Sequence, residues 1–179
     1  MQVIVINASP RPNGNTRTLV NAFIDGAKEA GHDVRLFNTC DMNISSCKGC
    51  MACQSGKGNP CVQEDDMQDI YEIWENADVV VFASPVYWMS FTAQFMYLRD
   101  RLFAATGLQV KKKDAYLLAT AASPENMVYP IFQDYYDYLL GVLGFKDKGR
   151  IIAGGATTPE AMKMSEYYSK AYQMGKSVE

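Results

Sequence analysis

Short runs of branched apolar residues alternate along the chain with amphipathic stretches at helical spacing. Continuous apolar runs at 3–6 and 79–82 predict strands that are covered on both faces. The predicted strands are residues 2–7, 33–38, 78–84, 115–122 and 149–153, and the predicted helices are 16–30, 65–76, 92–105, 125–143 and 159–174. This alternation predicts an α/β fold, a three-layer sandwich around a five-stranded parallel sheet of order 2-1-3-4-5.

The length of 179 residues predicts a single domain over 1–179, with a cysteine-rich insertion at about 39–64. That insertion is longer than an ordinary strand-to-helix connection, and such segments often carry function. A net charge of −3 with scattered lysines argues against nucleic-acid binding. The sequence has neither an apolar run of membrane-spanning length nor the pattern of a signal peptide, so we expect a cytoplasmic protein with reduced thiols and no membrane partner.

The loop after the first strand has the properties of a phosphate site. It precedes a helix N-terminus, where free backbone N–H groups and the helix dipole favour an anion. Ser9, Asn15 and Thr16 add side-chain donors, and Arg11 and Arg17 add positive charge in a stretch without acids. The loop has neither the glycines of a dinucleotide fingerprint nor the GK[ST] of a nucleoside-triphosphate site. A simple helix-capping loop would not explain the two arginines.

Two further loops leave the predicted sheet at the same edge. The segment 84–90 after strand 3 contains Tyr87, Trp88 and Met89, which offer planar or polarisable surface, and its backbone N–H groups could face a ring carbonyl or nitrogen. A flat heteroaromatic next to a phosphate site indicates flavin mononucleotide (FMN), although exposed aromatics are also typical of subunit interfaces. The third loop, beginning at Thr120, has small residues that would let a ring approach the backbone.

The segments SPRPNGNT at 9–16 and SPVYW at 84–88, set in this alternation of strands and helices, resemble the NADPH-dependent FMN reductase family. The resemblance implies a flavodoxin-like fold, non-covalently bound FMN, NAD(P)H as the co-substrate, and a homodimer or homotetramer. By motif position, the FMN site would comprise Ser9, Arg11, Asn15 and Thr16 around the phosphate, and Pro85, Val86, Tyr87 and Trp88 around the isoalloxazine ring. Thr120, from the third loop, is the remaining residue predicted to bind the cofactor.

The insertion carries Cys47, Cys50, Cys53 and Cys61 with the spacing C-x2-C-x2-C-x7-C. Such compact spacing with a distal fourth cysteine is similar to the way ferredoxin-type sequences hold an iron–sulfur cluster. Within the family, it resembles the iron–sulfur flavoproteins, whose motif holds a 4Fe–4S cluster near FMN. A loop of reduced thiols, or a labile CxxC disulfide, fits the same residues. Cys40 lies outside the spacing and is predicted to be an ordinary buried thiol.

The only histidine, His32, falls between the first helix and the second strand, at the opposite edge of the sheet. Nucleophilic or zinc catalysis based on histidine is therefore not expected, and flavin chemistry needs no catalytic side chain. The leading hypothesis is an FMN-dependent NAD(P)H oxidoreductase that reduces a small acceptor such as a quinone or a flavin. The alternatives are an electron carrier that uses FMN and a cluster between redox protein partners, and a non-catalytic metal-binding domain on the same fold.

Overall fold

A computed structural model describes residues 1–55, 60–106 and 111–179, and it confirms the predicted sheet. Five parallel strands lie in the order β2-β1-β3-β4-β5. The strands are β1 (Gln2–Asn7), β2 (Asp33–Asn38), β3 (Val79–Pro85), β4 (Asp114–Thr120) and β5 (Lys146–Ala153). Asn7 pairs with Asn38 on one side and with Ala83 on the other, so the strands end level with one another at the carboxyl edge.

Within the described residues, six α-helices cover the two faces of the sheet. They are α1 (Asn15–Glu29), α2 (Met67–Trp74), α3 (Ala93–Thr106), α4 (Glu125–Leu143), α5 (Pro159–Lys163) and α6 (Glu166–Lys176). Helices α1, α5 and α6 pack on one face, and α2, α3 and α4 pack on the other, each with its own apolar core. The central strands β1 and β3 are buried on both faces, as their continuous apolar runs predict.

The prediction of one helix over 159–174 is wrong, because the chain breaks between α5 and α6. Ser165 has extended backbone angles, and its hydroxyl donates to the Met162 carbonyl oxygen at 2.7 Å. The new direction packs α6 tightly on α1 through two glycines. A Cβ on Gly175 would lie 2.0 Å from the Phe23 carbonyl oxygen, and one on Gly26 would lie 2.1 Å from that of Tyr172. This close contact between α1 and α6 is visible only in the tertiary structure.

Other predicted boundaries shift by only a few residues. β4 ends at Thr120 rather than at 122, and β5 begins at Lys146 rather than at 149. Gly31 has a φ of 85° and caps the end of α1, as its position after the predicted helix indicates. In the part of the chain that the structure describes, no helix is long and apolar enough to cross a bilayer.

Candidate functional site

The loop between β1 and α1 forms a compact cradle at the carboxyl edge. Ser9 is buried, and its hydroxyl accepts from the Arg11 amide at 3.3 Å, while the Ser9 amide donates to the Asn7 side chain at 3.3 Å. The Gly14 amide then donates to the Arg11 carbonyl oxygen at 3.2 Å. These bonds shape the loop so that it leads directly into the first turn of α1.

The start of α1 is free to bind an anion. The first amide that bonds within the helix is that of Thr18, which donates to the Gly14 carbonyl oxygen at 3.1 Å, so the preceding helical N–H groups have no intrahelical partner. The first turn contains no acidic residue, and the cap residue Gly14 offers no side chain. The positive end of the helix dipole is therefore not neutralised locally.

The two arginines of this region have different roles. Arg11 is exposed beside the cradle, and it forms no ion pair within the described residues. Arg17 instead donates to the side chains of Asn21 and Asn38, which tie its guanidinium to the end of β2. The sequence alone does not distinguish the two arginines. In the structure, Arg17 is held by two asparagines, whereas Arg11 is exposed beside the cradle.

Thr16 and Thr120 form the floor between the first and third loops. Their hydroxyl oxygens are 2.7 Å apart, and both side chains are buried. The structure thus brings together two residues that are 104 positions apart and that were both predicted to belong to the site. Beside them, the Asn15 side-chain oxygen is buried and has no hydrogen-bond partner among the described residues. A buried acceptor without a partner is uncommon and points to a ligand.

The loop after β3 ends in a tight turn with unusual backbone angles. Tyr87 and Ser90 exchange two backbone hydrogen bonds of 2.9 and 3.0 Å, and the central residues Trp88 and Met89 have φ values of 50° and 59°. Positive φ at two bulky residues stores strain, on the order of 1–3 kcal/mol for each, and such strain concentrates at functional sites. The turn holds Trp88 completely exposed, and Tyr87 is 41% exposed.

Some backbone N–H groups of this loop already donate hydrogen bonds within the protein. The Val86 amide donates to the Thr120 carbonyl oxygen at 2.8 Å, and its side chain packs against the core. Of the turn's N–H groups, those of Trp88 and Met89 take no part in these bonds. Among the described residues of this turn, Val86 and Tyr87 therefore have backbone partners for their N–H groups, and Trp88 and Met89 do not. Pro85, the last residue of β3, is half-buried at the base of the loop.

Thr92 is a structural residue of the site that sequence reasoning missed. Its hydroxyl donates to the Ala8 carbonyl oxygen at 2.8 Å, and its amide donates to the Ser84 hydroxyl at 3.3 Å. These bonds fix the second loop against the first. The available signal was its position immediately before α3, where threonine is a preferred helix cap.

His32 lies far from these loops, as predicted. Its ring contacts the amino group of Met1 at 3.4 Å and the Val178 carbonyl oxygen at 3.0 Å, at the amino edge of the sheet. The site at the carboxyl edge therefore contains no histidine.

Polar side chains hold together the two ends of the cysteine-rich segment, residues 43–46 and 63–66, which we call its neck. Asp65 accepts from the Ser45 amide at 3.1 Å, Asp66 accepts from the Asn43 amide at 2.7 Å, and Gln63 donates to the Ser46 carbonyl oxygen at 3.3 Å. Asp65 also accepts from the Met67 amide at 3.2 Å, as expected of an acid at the start of α2.

A buried ion pair anchors this neck to α3. Arg101 makes two bonds to Asp65, of 2.6 and 3.0 Å, and a third to the Ser45 carbonyl oxygen at 3.0 Å. The side chains of Arg101 and Asp65 are only 1% and 5% exposed. Burial opposes the charge on Asp65, but the hydrogen bonds from Arg101 and the Ser45 backbone outweigh it and lower the pKa of this carboxyl group.

The four predicted metal ligands lie on the loop beyond this neck. Cys47 and Cys50 are exposed, whereas Cys53 and Cys61 are half-buried against the core. The Gly49 amide donates to the Cys47 sulfur at 3.4 Å. Over residues 1–55, 60–106 and 111–179, no three side chains of metal-ligating type come close enough together to hold an ion. The ligand set therefore stays a prediction.

Cys40 is half-buried at the end of β2 rather than fully buried as predicted. Burial, together with the neighbouring Asp41 carboxylate, raises the pKa of its thiol.

Five parallel strands in the order 2-1-3-4-5, with helices on both faces, define a flavodoxin-like fold, and the loops described above lie at the carboxyl edge of its sheet. Residues 1–133 match the NADPH-dependent FMN reductase family, and the chain belongs to this family. It is accordingly an oxidoreductase.

The chain is similar to an iron–sulfur flavoprotein of Methanocaldococcus jannaschii, MJ1083, with 30% identity over 78% of this chain and 72% of the relative. It is 25% identical to YwqN of Bacillus subtilis, named as a putative NAD(P)H-dependent FMN-containing oxidoreductase, over 97% of this chain and 96% of the relative. The chain spans only about half the length of several other iron–sulfur flavoproteins that it matches, such as one from Archaeoglobus fulgidus (46%).

Among solved structures, an NAD(P)H:quinone oxidoreductase from Methanothermobacter marburgensis superposes with a TM-score of 0.80. The two chains are 20% identical, and the superposition covers 98% of this chain and 96% of the other. At this identity the likeness establishes the flavodoxin-like fold alone.

Proposed function

We propose that this protein binds FMN at the carboxyl edge of β1, β3 and β4, and uses it to transfer reducing equivalents from NAD(P)H to a small acceptor such as a quinone or a flavin. The observation that carries the proposal is the combination of a free helix N-terminus with the exposed Arg11 and the unpaired Asn15 amide oxygen. An FMN molecule has a phosphate for the first two groups and ribityl hydroxyls for the third.

Different residues would contact the phosphate, the ribityl chain and the ring of the cofactor. The amides at the start of α1 and the Arg11 guanidinium would bind the phosphate, with Ser9 holding the loop in shape. The Thr16–Thr120 contact would form the floor beneath the ribityl chain. The turn containing Tyr87 and Trp88 would present its aromatic side chains and the free amides of Trp88 and Met89 to the ring.

When bound, FMN supplies hydride chemistry, so the protein's own task is to position the ring and the two substrates. The absence of histidine from the edge described above fits this division of labour, because no side chain needs to act as a nucleophile.

The absorption spectrum of protein purified without oxygen tests this proposal. We expect flavin bands that bleach rapidly when NADPH or NADH is added without any partner protein, and that return when a quinone is supplied. Failure to retain or take up FMN after reconstitution would contradict the proposal. Bound FMN that NAD(P)H cannot reduce would favour an electron carrier over an enzyme.

Replacing Arg11 with alanine is expected to weaken FMN binding by about 1.5–3 kcal/mol, which is the typical value of a charge-assisted hydrogen bond. The dissociation constant, measured by quenching of flavin fluorescence, should rise by roughly 10-fold to 100-fold. Arg17→Ala is the matched control, because it removes the same charge from a guanidinium that is bonded to Asn21 and Asn38. Equal losses in the two variants would contradict the assignment of Arg11 to the phosphate.

A second candidate function is electron transfer through FMN and a cluster. It is supported by the four-cysteine spacing and by the similarity to the iron–sulfur flavoprotein MJ1083. If a cluster assembles, Cys50→Ser should lower the iron content of anaerobically purified protein while flavin stays bound, because Cys50 lies outside the FMN cradle. Cys40→Ser is the control and should leave the iron unchanged. Equal iron in Cys50→Ser and in the natural protein would contradict a cluster.

A further inference from the structure

A cavity of about 510 Å³ lies between α3, α4 and the start of the cysteine-rich segment. Among the residues that line it, Leu102 and Leu139 are buried, and Phe103 contributes an aromatic ring. Cys47 lines it from the cysteine-rich segment, which is held to α3 by a hydrogen bond of 3.2 Å from the Gln54 side chain to the Phe103 carbonyl oxygen. Small-molecule sites in proteins enclose roughly 300–1,000 Å³, so the cavity has the size of a ligand site.

One charged pair, Arg99 and Asp100, lines this otherwise largely apolar cavity. Arg99 donates through Nε and Nη2 to one carboxylate oxygen of Asp100, and through Nη1 to the Tyr135 hydroxyl. Each Nη carries a second N–H group, which has no partner among the described residues, and the same holds for the other carboxylate oxygen of Asp100. A free donor and a free acceptor therefore lie side by side at the wall of the cavity.

These walls indicate the chemistry of a ligand. The rings of Phe103, Tyr135 and Tyr138 favour a flat aromatic body, because aromatic rings pack well in offset-stacked and edge-to-face pairs. A hydroxyl group is both donor and acceptor, so it can accept from Arg99 and donate to Asp100. Because the two charges of the pair balance, a carboxylate or an amine would meet a like charge as well as an opposite one. The cavity therefore suits a neutral aromatic alcohol.

The cavity is separate from the loops proposed to bind FMN. In a parallel sheet, each connecting helix returns the chain from the carboxyl edge to the amino edge. The lining residues 99–103 lie in the second half of α3, and the lining residues 135–143 lie in the second half of α4. Among the described residues that line the cavity, none belongs to the loops after β1, β3 or β4. A ligand in the cavity would therefore not compete with the cofactor for space.

We propose that this cavity is a ligand site for a neutral aromatic alcohol, with the rings of the ligand between α3 and α4 and its hydroxyl group at Arg99 and Asp100. The site does not rest on the FMN assignment, because it uses none of the residues given to the cofactor. An exposed ion pair contributes little to stability, so ligand affinity is the property on which Arg99 should have its main effect.

Calorimetric titration of the protein, as purified, with β-naphthol tests the position of the site. We expect saturable binding to the natural protein and roughly 10-fold weaker binding to Val142→Trp, because a larger side chain at the lining position 142 would fill part of the cavity. Ile131→Trp is the matched control and should bind as the natural protein does. Ile131 is 67% exposed against 61% for Val142, lies on the same helix and does not line the cavity.

Two results would overturn this position. The first is the absence of binding at millimolar naphthol, which is expected if a protein surface covers the cavity instead. The second is equal affinity of the two tryptophan variants, which would place the naphthol elsewhere on the protein, whether or not the flavin absorption bands shift on binding.

A comparison of related ligands tests the chemical class. Arg99→Met should weaken the binding of β-naphthol roughly 10-fold, because a hydrogen bond from a charged donor is lost. Naphthalene, which has no hydroxyl group, should bind to the natural protein and to Arg99→Met alike. β-Naphthoate should bind to the natural protein more weakly than β-naphthol, since its carboxylate would lie against Asp100. If Arg99→Met leaves the affinity for β-naphthol unchanged, or if β-naphthoate binds more tightly than β-naphthol, the assigned ligand class is wrong.

Discussion

Replacing Arg101 with methionine is expected to lower the free energy of unfolding by about 3–5 kcal/mol, because it leaves the Asp65 carboxylate buried without its partner. Methionine keeps much of the side-chain volume, so the change in the free energy of unfolding comes mainly from the lost charge and the lost hydrogen bonds. Asp65 is 5% exposed, and water cannot replace three bonds from a guanidinium at this position. Denaturant unfolding followed by circular dichroism measures the change.

Arg99→Met is the matched control for this experiment. Arg99 lies two residues away on the same helix and pairs with Asp100, but both side chains are substantially exposed. Exposed pairs contribute about 0–1 kcal/mol, so this variant should differ little from the natural protein. A loss below about 1 kcal/mol for Arg101→Met would show that the pair does not stabilise the neck of the cysteine-rich segment. A second substitution, Asp65→Leu, should recover part of the stability by removing the unpaired charge.

The pair of Arg101 and Asp65 also makes the free energy of unfolding depend on pH. The pKa of Asp65 is lowered in the folded protein. Its contribution to stability is therefore present above the pKa of an unfolded aspartate, and it is lost as the pH falls through the pKa of the folded state. The natural protein should therefore lose stability in acid, below about pH 4, more steeply than a variant that lacks both Arg101 and Asp65.

The stability of the natural protein, relative to Lys113→Met, is expected to rise by about 3 kcal/mol between pH 8 and pH 10.5. Lys113 is 1% exposed, and its amino group donates to the Ala77 carbonyl oxygen at 2.7 Å. Burial, with a smaller effect of the Lys111 charge, lowers the pKa of Lys113 to about 8. Between this value and the ordinary pKa of lysine, the unfolded chain binds more protons than the folded chain, so stability increases with pH.

Taking the difference between the two proteins removes the contribution of the ionisable groups that both share. Lys112→Met is the control, because Lys112 is exposed beside Lys113 and should change the pH profile little. Denaturant midpoints measured at several pH values give the result. Parallel profiles for the natural protein and Lys113→Met would contradict the idea that the buried amino group loses its proton in this range.

The strands and the loop that leads from β1 into α1 could be predicted because their signals are local. Val3–Ile6 is a continuous apolar run that is typical of a strand buried on both faces, and the loop that follows combines caps, charge and a helix start within ten residues. The chain order of strands and helices then restricts the topology, because crossovers between parallel strands are right-handed. These features depend on neighbouring residues, so they can be derived without coordinates.

What the tertiary structure decided rests on contacts between distant residues. The sequence does not indicate that Arg101 pairs with Asp65, that α6 must separate from α5 to cross α1 at Gly26 and Gly175, or that Trp88 stands fully exposed on a strained turn. It also does not distinguish the buried residues of α4, such as Phe132 and Tyr136, from exposed ones such as Ile131, since both sets are apolar. Periodicity fixes which residues share a face, but only the packing of the layers determines which face is covered.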